Sequence, residues 1–79
     1  MQREEIFKQL KGLLINEYGC EAINIVEEAQ FHTDLEMDSL EIIELVMKVE
    51  DEFGVSIDHG TLEIKTVGQL VDLLVTLKS

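Results

Sequence analysis

The chain has no proline, no tryptophan, one cysteine and only six basic residues against seventeen acidic ones. Each shortage closes off a class of protein. Without proline, and without repeats or low-complexity segments, nothing marks a linker or boundary, so residues 1–79 read as one domain. The lone Cys20 excludes an internal disulfide and a thiolate metal cluster, which fits a reducing compartment, and as a single thiol it reads as a small core residue. Four aromatic residues offer little stacking surface for single-stranded nucleic acid, and the acidic balance repels phosphate backbones. No apolar run exceeds three residues, and the start leads into an amphipathic helix instead of a signal core. A membrane span or secretory signal is therefore not expected, and a cytoplasmic location is.

What the chain does have is a 46% hydrophobic content and a localised charge. From Glu21 to Glu63 there are thirteen acids and one base, Lys48, whereas the rest of the chain is close to neutral. Such a field steers basic partners, although simple solubility is the ordinary explanation for an acidic domain. A domain of this size buries only about 60% of its unfolded surface, so one core of modest stability is expected.

Along the chain, Ile6, Phe7, Leu10, Leu13, Leu14 and Tyr18 share one face of a first helix over residues 3–18, with Glu4 and Glu5 in its first turn and Gly19 as its left-handed stop. Residues 20–37 show no period. They read as a long loop pinned by Ile25, Phe31 and Leu35, with His32 on the surface; Ala22–Ile25 is the alternative of a short strand, for which no partner strand is evident. Asp38 is a good N-cap, and Glu41 three positions later completes a capping box, so a second helix starts at Ser39 and ends at Gly54. Its apolar residues form two sets. Ile42, Leu45, Val46, Val49 and Phe53 have core spacing, whereas Leu40, Ile43 and Met47 lie well round the helix among Glu44, Glu50 and Asp51. Burying one face does not require that second strip, and it has the character of a docking surface beside a serine.

Val55–Asp58 alternates like a strand without a partner, and His59-Gly60 is turn chemistry. A short third helix is expected around Thr61–Ile64. A second capping box, Thr66 with Gln69, opens a last helix whose stripe is Val67, Leu70, Val71, Leu74 and Leu77. The expected fold is all-α: a small four-helix bundle with three main helices, one short third helix and a long loop between helices one and two.

Ser39 is the residue to which chemistry attaches. A nucleophilic serine needs a base within reach and an oxyanion site; the neighbours of Ser39 are Met37, Asp38, Leu40 and Glu41, and the only histidines are His32 and His59. Hydrolysis is therefore a poor assignment, and no catalytic residue is expected. Asp34, Glu36 and Asp38 mimic the start of a calcium loop, but the pattern then fails at Ser39, where glycine belongs, and at Leu45, where glutamate belongs. No dedicated metal site is expected. A phosphate on Ser39, by contrast, would lie against the open N–H groups at the start of a helix, although Asp38 opposes it by charge.

Asp38-Ser39-Leu40, followed by EIIELVMKVEDEFGVSI, resembles the acyl carrier proteins of dissociated fatty acid and polyketide synthesis. The likeness takes in the first helix ending at Tyr18-Gly19, the loop anchors Ile25, Ala29, Phe31 and Leu35, and the last helix after Lys65-Thr66-Val67. It implies that Ser39, flanked by Asp38 and Leu40, carries 4′-phosphopantetheine, added from coenzyme A by a phosphopantetheinyl transferase, with acyl intermediates held as thioesters. It also implies that Leu40, Glu41, Glu44, Met47, Glu50 and Asp51 face the basic patches of acyl-transferring, condensing and modifying enzymes. Phe31, Leu45, Val49, Ile57, Leu62 and Ile64 are candidates to line an acyl pocket, with ordinary core packing an equal reading. The carrier is expected to be a monomer that binds neither nucleic acid nor membrane. Three departures from the family pattern point to a specialised member: Glu36 where glycine is common, Asp58 where proline is common, and a stretch before Ile64 one residue short. The competing reading is an unmodified acidic helical adaptor that binds basic partners through the second helix.

Overall fold

The computed structural model describes residues 2–58 and 63–79. Among the described residues three α-helices follow one another: α1 (Arg3–Tyr18), α2 (Ser39–Phe53) and α3 (Val67–Lys78), the last being the closing helix expected from the Thr66 capping box. The fold is an all-α small helical bundle. The expected turn at His59-Gly60, and Thr61 and Leu62 of the expected short helix, lie outside the described residues; Glu63 and Ile64 are described and are not helical.

Local chemistry sets the helix limits. Asp38 Oδ1 accepts the Glu41 N–H at 2.8 Å while Glu41 Oε1 accepts the Asp38 N–H at 3.1 Å, and Thr66 and Gln69 repeat the exchange at the head of α3. Each box satisfies donors that a helix start would leave open. Gly19 and Gly54 stop α1 and α2 at φ +66° and +65°, a region that costs a residue with a Cβ about 1–2 kcal/mol.

One core joins the three helices. Ile6, Leu10 and Leu14 of α1, Leu45, Val46, Val49 and Phe53 of α2, and Val67, Leu70, Val71 and Leu74 of α3 are buried. At roughly 1.5–3 kcal/mol per fully buried aliphatic or Phe side chain, this burial dominates stability. Five members of the expected stripes are not fully buried: Phe7, Leu13 and Tyr18 of α1 are half-buried against the core. Ile42, in the first turn of α2, is likewise half-buried against it, and Leu77, near the end of α3, is 39% exposed.

The long connection between α1 and α2 is anchored at four buried residues, of which Met37 is not among the expected anchors. Ile25, Ala29, Phe31 and Met37 are buried and Leu35 only half-buried. Ala22–Asn24 forms a turn of 3-10 helix, not a strand, and leaves Ile23 exposed. The middle of the connection pairs with the approach to α3: a single antiparallel bridge joins Gln30 and Thr66, Phe31 N–H donates to Lys65 O at 2.9 Å and Val67 N–H to Ala29 O at 3.0 Å. After α2, Val55–Asp58 forms no strand, and Ile57 is buried.

Charged side chains then tie the elements together. Arg3 bonds both Glu27 and Asp72, linking the start of α1 to the connection and to α3. Lys48 pairs with Glu17 at 2.7 Å, and Lys78 Nζ donates to Phe53 O at 2.9 Å, capping α2 from α3.

Candidate functional site

Ser39 is the first residue of α2 and is exposed. The backbone leading to it is held on both sides. Asp34 N–H donates to Gln30 O at 2.9 Å while the Asp34 carboxylate accepts the Gln30 N–H at 2.7 Å. Met37, buried, donates its N–H to Phe31 O at 2.9 Å, and its carbonyl meets His32 Nδ1 at 3.0 Å, the ring nitrogen acting as donor. Between these anchors Glu36 sits at φ +52°, in the left-handed region that favours glycine. The Asp38–Glu41 box then locks the first turn, so the serine is presented from a rigid base.

Among the described residues nothing hydrogen-bonds to the Ser39 hydroxyl: the Asp38 carboxylate accepts the Glu41 N–H and His32 Nδ1 donates to Met37 O, and neither side chain bonds the serine. The serine is accessible and unactivated. It lies in the wall of a groove of about 400 Å³ formed with Gln30, Phe31, His32, Thr33, Ile42, Ile64 and Lys65. An exposed hydroxyl at a helix start, with open N–H groups behind it and space beside it, fits a covalently attached phosphate-linked arm.

Behind Ser39, α2 carries the second face. Leu40, Ile43 and Met47 are 66%, 51% and 55% exposed, and Glu44 and Asp51 are exposed with them. Glu41 and Glu50 differ from the other acids in this group. Both are half-buried; Glu41 holds the Asp38 N–H, and Glu50 Oε2 accepts the Ile57 N–H at 2.7 Å, tying the segment after α2 back to the helix.

Of the six residues considered for a pocket, the five described share one core but do not line one cavity. Phe31 and Ile64 line the groove at Ser39, whereas Leu45 and Val49 are solid core at 0% exposure. Ile57 lines a second groove of about 500 Å³, with Ser56, Asp58, Glu63, Ile64, Gln69, Leu73 and Leu77. Leu62 lies outside the described residues. Sequence reasoning missed Ile42, one turn beyond Ser39 on the same side of α2; its distance from the serine was the available signal, outweighed by its core-like period.

The remaining titratable groups with displaced pKa values are structural. Burial, with Glu41 adding to it, raises the Cys20 thiol and keeps it protonated. Burial likewise raises Tyr18, whose hydroxyl is enclosed without a hydrogen-bond partner among the described residues. The pairing with Glu17 raises Lys48. None of these groups touches Ser39. Among the described residues, no helix is long and apolar enough to cross a membrane.

Residues 8–74 match the family model described as "Phosphopantetheine attachment site". The chain is 42% identical over 78 residues to an acyl carrier protein of Saccharopolyspora erythraea, spanning 98% of this chain and 82% of that protein. It is 42% identical over 73 residues to an acyl carrier protein of Thermotoga maritima, spanning 91% and 90%. A solved structure of the acyl carrier protein from Enterococcus faecalis superposes with a TM-score of 0.79 at 35% identity, covering 98% of this chain and 99% of that one. An unmodified adaptor accounts for the acidic face but not for the match to a phosphopantetheine family. The chain thus belongs to the acyl carrier protein family, a carrier of acyl groups on covalently attached 4′-phosphopantetheine and not itself a catalyst.

Proposed function

We propose that Ser39 is the attachment point of the phosphopantetheine arm, and that a separate phosphopantetheinyl transferase installs it from coenzyme A. The observation that carries this reading is the exposed hydroxyl of Ser39 at the locked start of α2, beside a groove. In the transfer, a bond forms between Ser39 Oγ and the phosphorus of the pantetheine phosphate. The pyrophosphate bond of coenzyme A breaks and 3′,5′-ADP leaves. The transferase takes the hydroxyl proton, since among the described residues no base of this chain is hydrogen-bonded to Ser39. When attached, the group supplies a terminal thiol that holds acyl chains as thioesters.

The partner surface in this reading is Leu40, Ile43, Glu44, Met47 and Asp51. Apolar side chains at its centre supply contact area, and exposed carboxylates supply steering toward basic patches on the transferase and on acyl-transferring, condensing and modifying enzymes of fatty acid, polyketide or related synthesis. Glu41 and Glu50 contribute charge to the same face while holding the helix start and the Ile57 segment. The groove of Phe31, Ile42 and Ile64 is the entry for a sheltered acyl chain, since it opens at Ser39. The carrier acts as a cytoplasmic monomer, its core being satisfied within one chain.

Incubation with a phosphopantetheinyl transferase and coenzyme A tests the assignment. The wild-type mass rises by one phosphopantetheine and Ser39→Ala stays unchanged; an increment that persists in Ser39→Ala places the arm elsewhere.

A further inference from the structure

The groove at Ser39 has a cation in its wall. Of the side chains lining it, Phe31, Ile42 and Ile64 are apolar and Lys65 is the lysine. Bases are scarce in this part of the chain: from Glu21 to Glu63 the only one is Lys48, and its ammonium is engaged by Glu17 at 2.7 Å. Lys65 is differently placed. Among the described residues no carboxylate pairs with its ammonium. Its backbone is fixed from two directions: the N–H donates to Gln69 Oε1 at 2.6 Å, and the carbonyl accepts the Phe31 N–H at 2.9 Å. The side chain therefore leaves from a set point in the groove wall.

A phosphodiester on Ser39 would keep its negative charge throughout the neutral range. Its phosphorus is bonded directly to Oγ, so this part of the arm cannot leave the mouth of the groove, however far the thiol travels. It would sit on a strongly acidic segment, where like charges raise its energy. Asp38 and Glu41 do not swing clear of it, because the capping box holds both carboxylates at the helix start. Beyond the N–H groups at the helix start, the lysine in the groove wall is the side chain that can offset it.

We infer that Lys65 is a positioning residue for the prosthetic arm: its ammonium pairs with the phosphodiester on Ser39 and holds the proximal arm over the groove bounded by Phe31, Ile42 and Ile64. The inference rests on Ser39 being the attachment point. Lys65 acts as a point charge and not as a bidentate fork, so arginine should substitute for it. The pair is solvent-exposed and should weaken as salt is raised.

The test uses intact mass followed by NMR of the loaded protein. An unloaded Ser39 in the wild type overturns the attachment reading and this inference together. With loading established, nitrogen–proton correlation spectra of apo and loaded forms should show shifts that reach Phe31, His32, Thr33 and Lys65. In Lys65→Gln those remote shifts should fall about two- to five-fold, the range for an exposed ion pair, and Lys65→Arg should restore them. Raising salt should reduce them in the wild type in the same way. Shifts confined to Asp38–Ile42 in the wild type, or unchanged in Lys65→Gln at equal loading, overturn the role of Lys65 while leaving Ser39 as the attachment point.

Discussion

Replacing Glu36 by glycine should stabilise the domain even though it removes a side chain and adds none. Glu36 is exposed and lies at φ +52°, where a Cβ costs about 1–2 kcal/mol relative to a residue without one. Glycine recovers that cost but enlarges the unfolded ensemble by about 0.4–1 kcal/mol. The balance favours glycine by about 0.5–1 kcal/mol, which for a domain of this size is about 2–8 °C in Tm. Removing one acid from a strongly acidic segment adds in the same direction, so the backbone effect has to be separated from the charge effect. Glu36→Ala does this, because it removes the carboxylate and keeps the Cβ. The assay is thermal unfolding by circular dichroism of wild type, Glu36→Ala and Glu36→Gly in one buffer, repeated at high salt to screen the charge. The order expected is Glu36→Gly above Glu36→Ala, with the gap between them unchanged by salt. A Glu36→Gly protein no more stable than Glu36→Ala would refute the reasoning, since the left-handed backbone would then cost no more than the unfolded chain gains from glycine.

Three further outcomes follow from the same geometry. Asp38→Ala removes the side-chain half of the α2 capping box and should cost about 1 kcal/mol, read as a lower urea midpoint at unchanged m-value; an unchanged midpoint would mean that the cap is not used in solution. Tyr18 and Lys48 both have raised pKa values in the fold, so the stability they lend is complete below their ordinary values of 10.0 and 10.5 and is lost as pH rises through the higher folded ones. Tyr18→Phe should therefore flatten the alkaline limb of a Tm-against-pH curve without loss of stability at neutral pH, because it also removes an enclosed, unpartnered hydroxyl; an alkaline limb identical to that of wild type would contradict this. Sodium chloride or millimolar magnesium should raise Tm, since a net charge of −11 on a small domain is self-repulsive; a flat ionic-strength series would show the acids too dispersed to matter.

Much of the helical frame was legible because its signals are local. The Asp38–Glu41 and Thr66–Gln69 boxes act within one turn, and both open helices at the expected residues. The strip of Leu40, Ile43 and Met47 was readable from period alone, and all three are exposed. The connection before α2 was harder, because burial there is decided by pairing with the approach to α3, through Phe31 with Lys65 and Ala29 with Val67. No period encodes such long-range bonds, so the burial of Met37 and the 3-10 turn at Ala22–Asn24 were not readable. Ile42 and Leu77 show the converse: period assigns them to stripes, but a stripe is buried only as far as the neighbouring elements extend. The internal use of Glu41 was implicit in its capping box, whereas that of Glu50 depends on the path of the chain back to Ile57.

Tandem mass spectrometry of the Ser39 peptide, from protein purified out of its native host, tests the central claim most directly. The account predicts a 4′-phosphopantetheine on Ser39, part of it bearing an acyl thioester whose mass identifies the cargo. A Ser39 peptide found only unmodified, or a phosphopantetheine located on another residue, would contradict it.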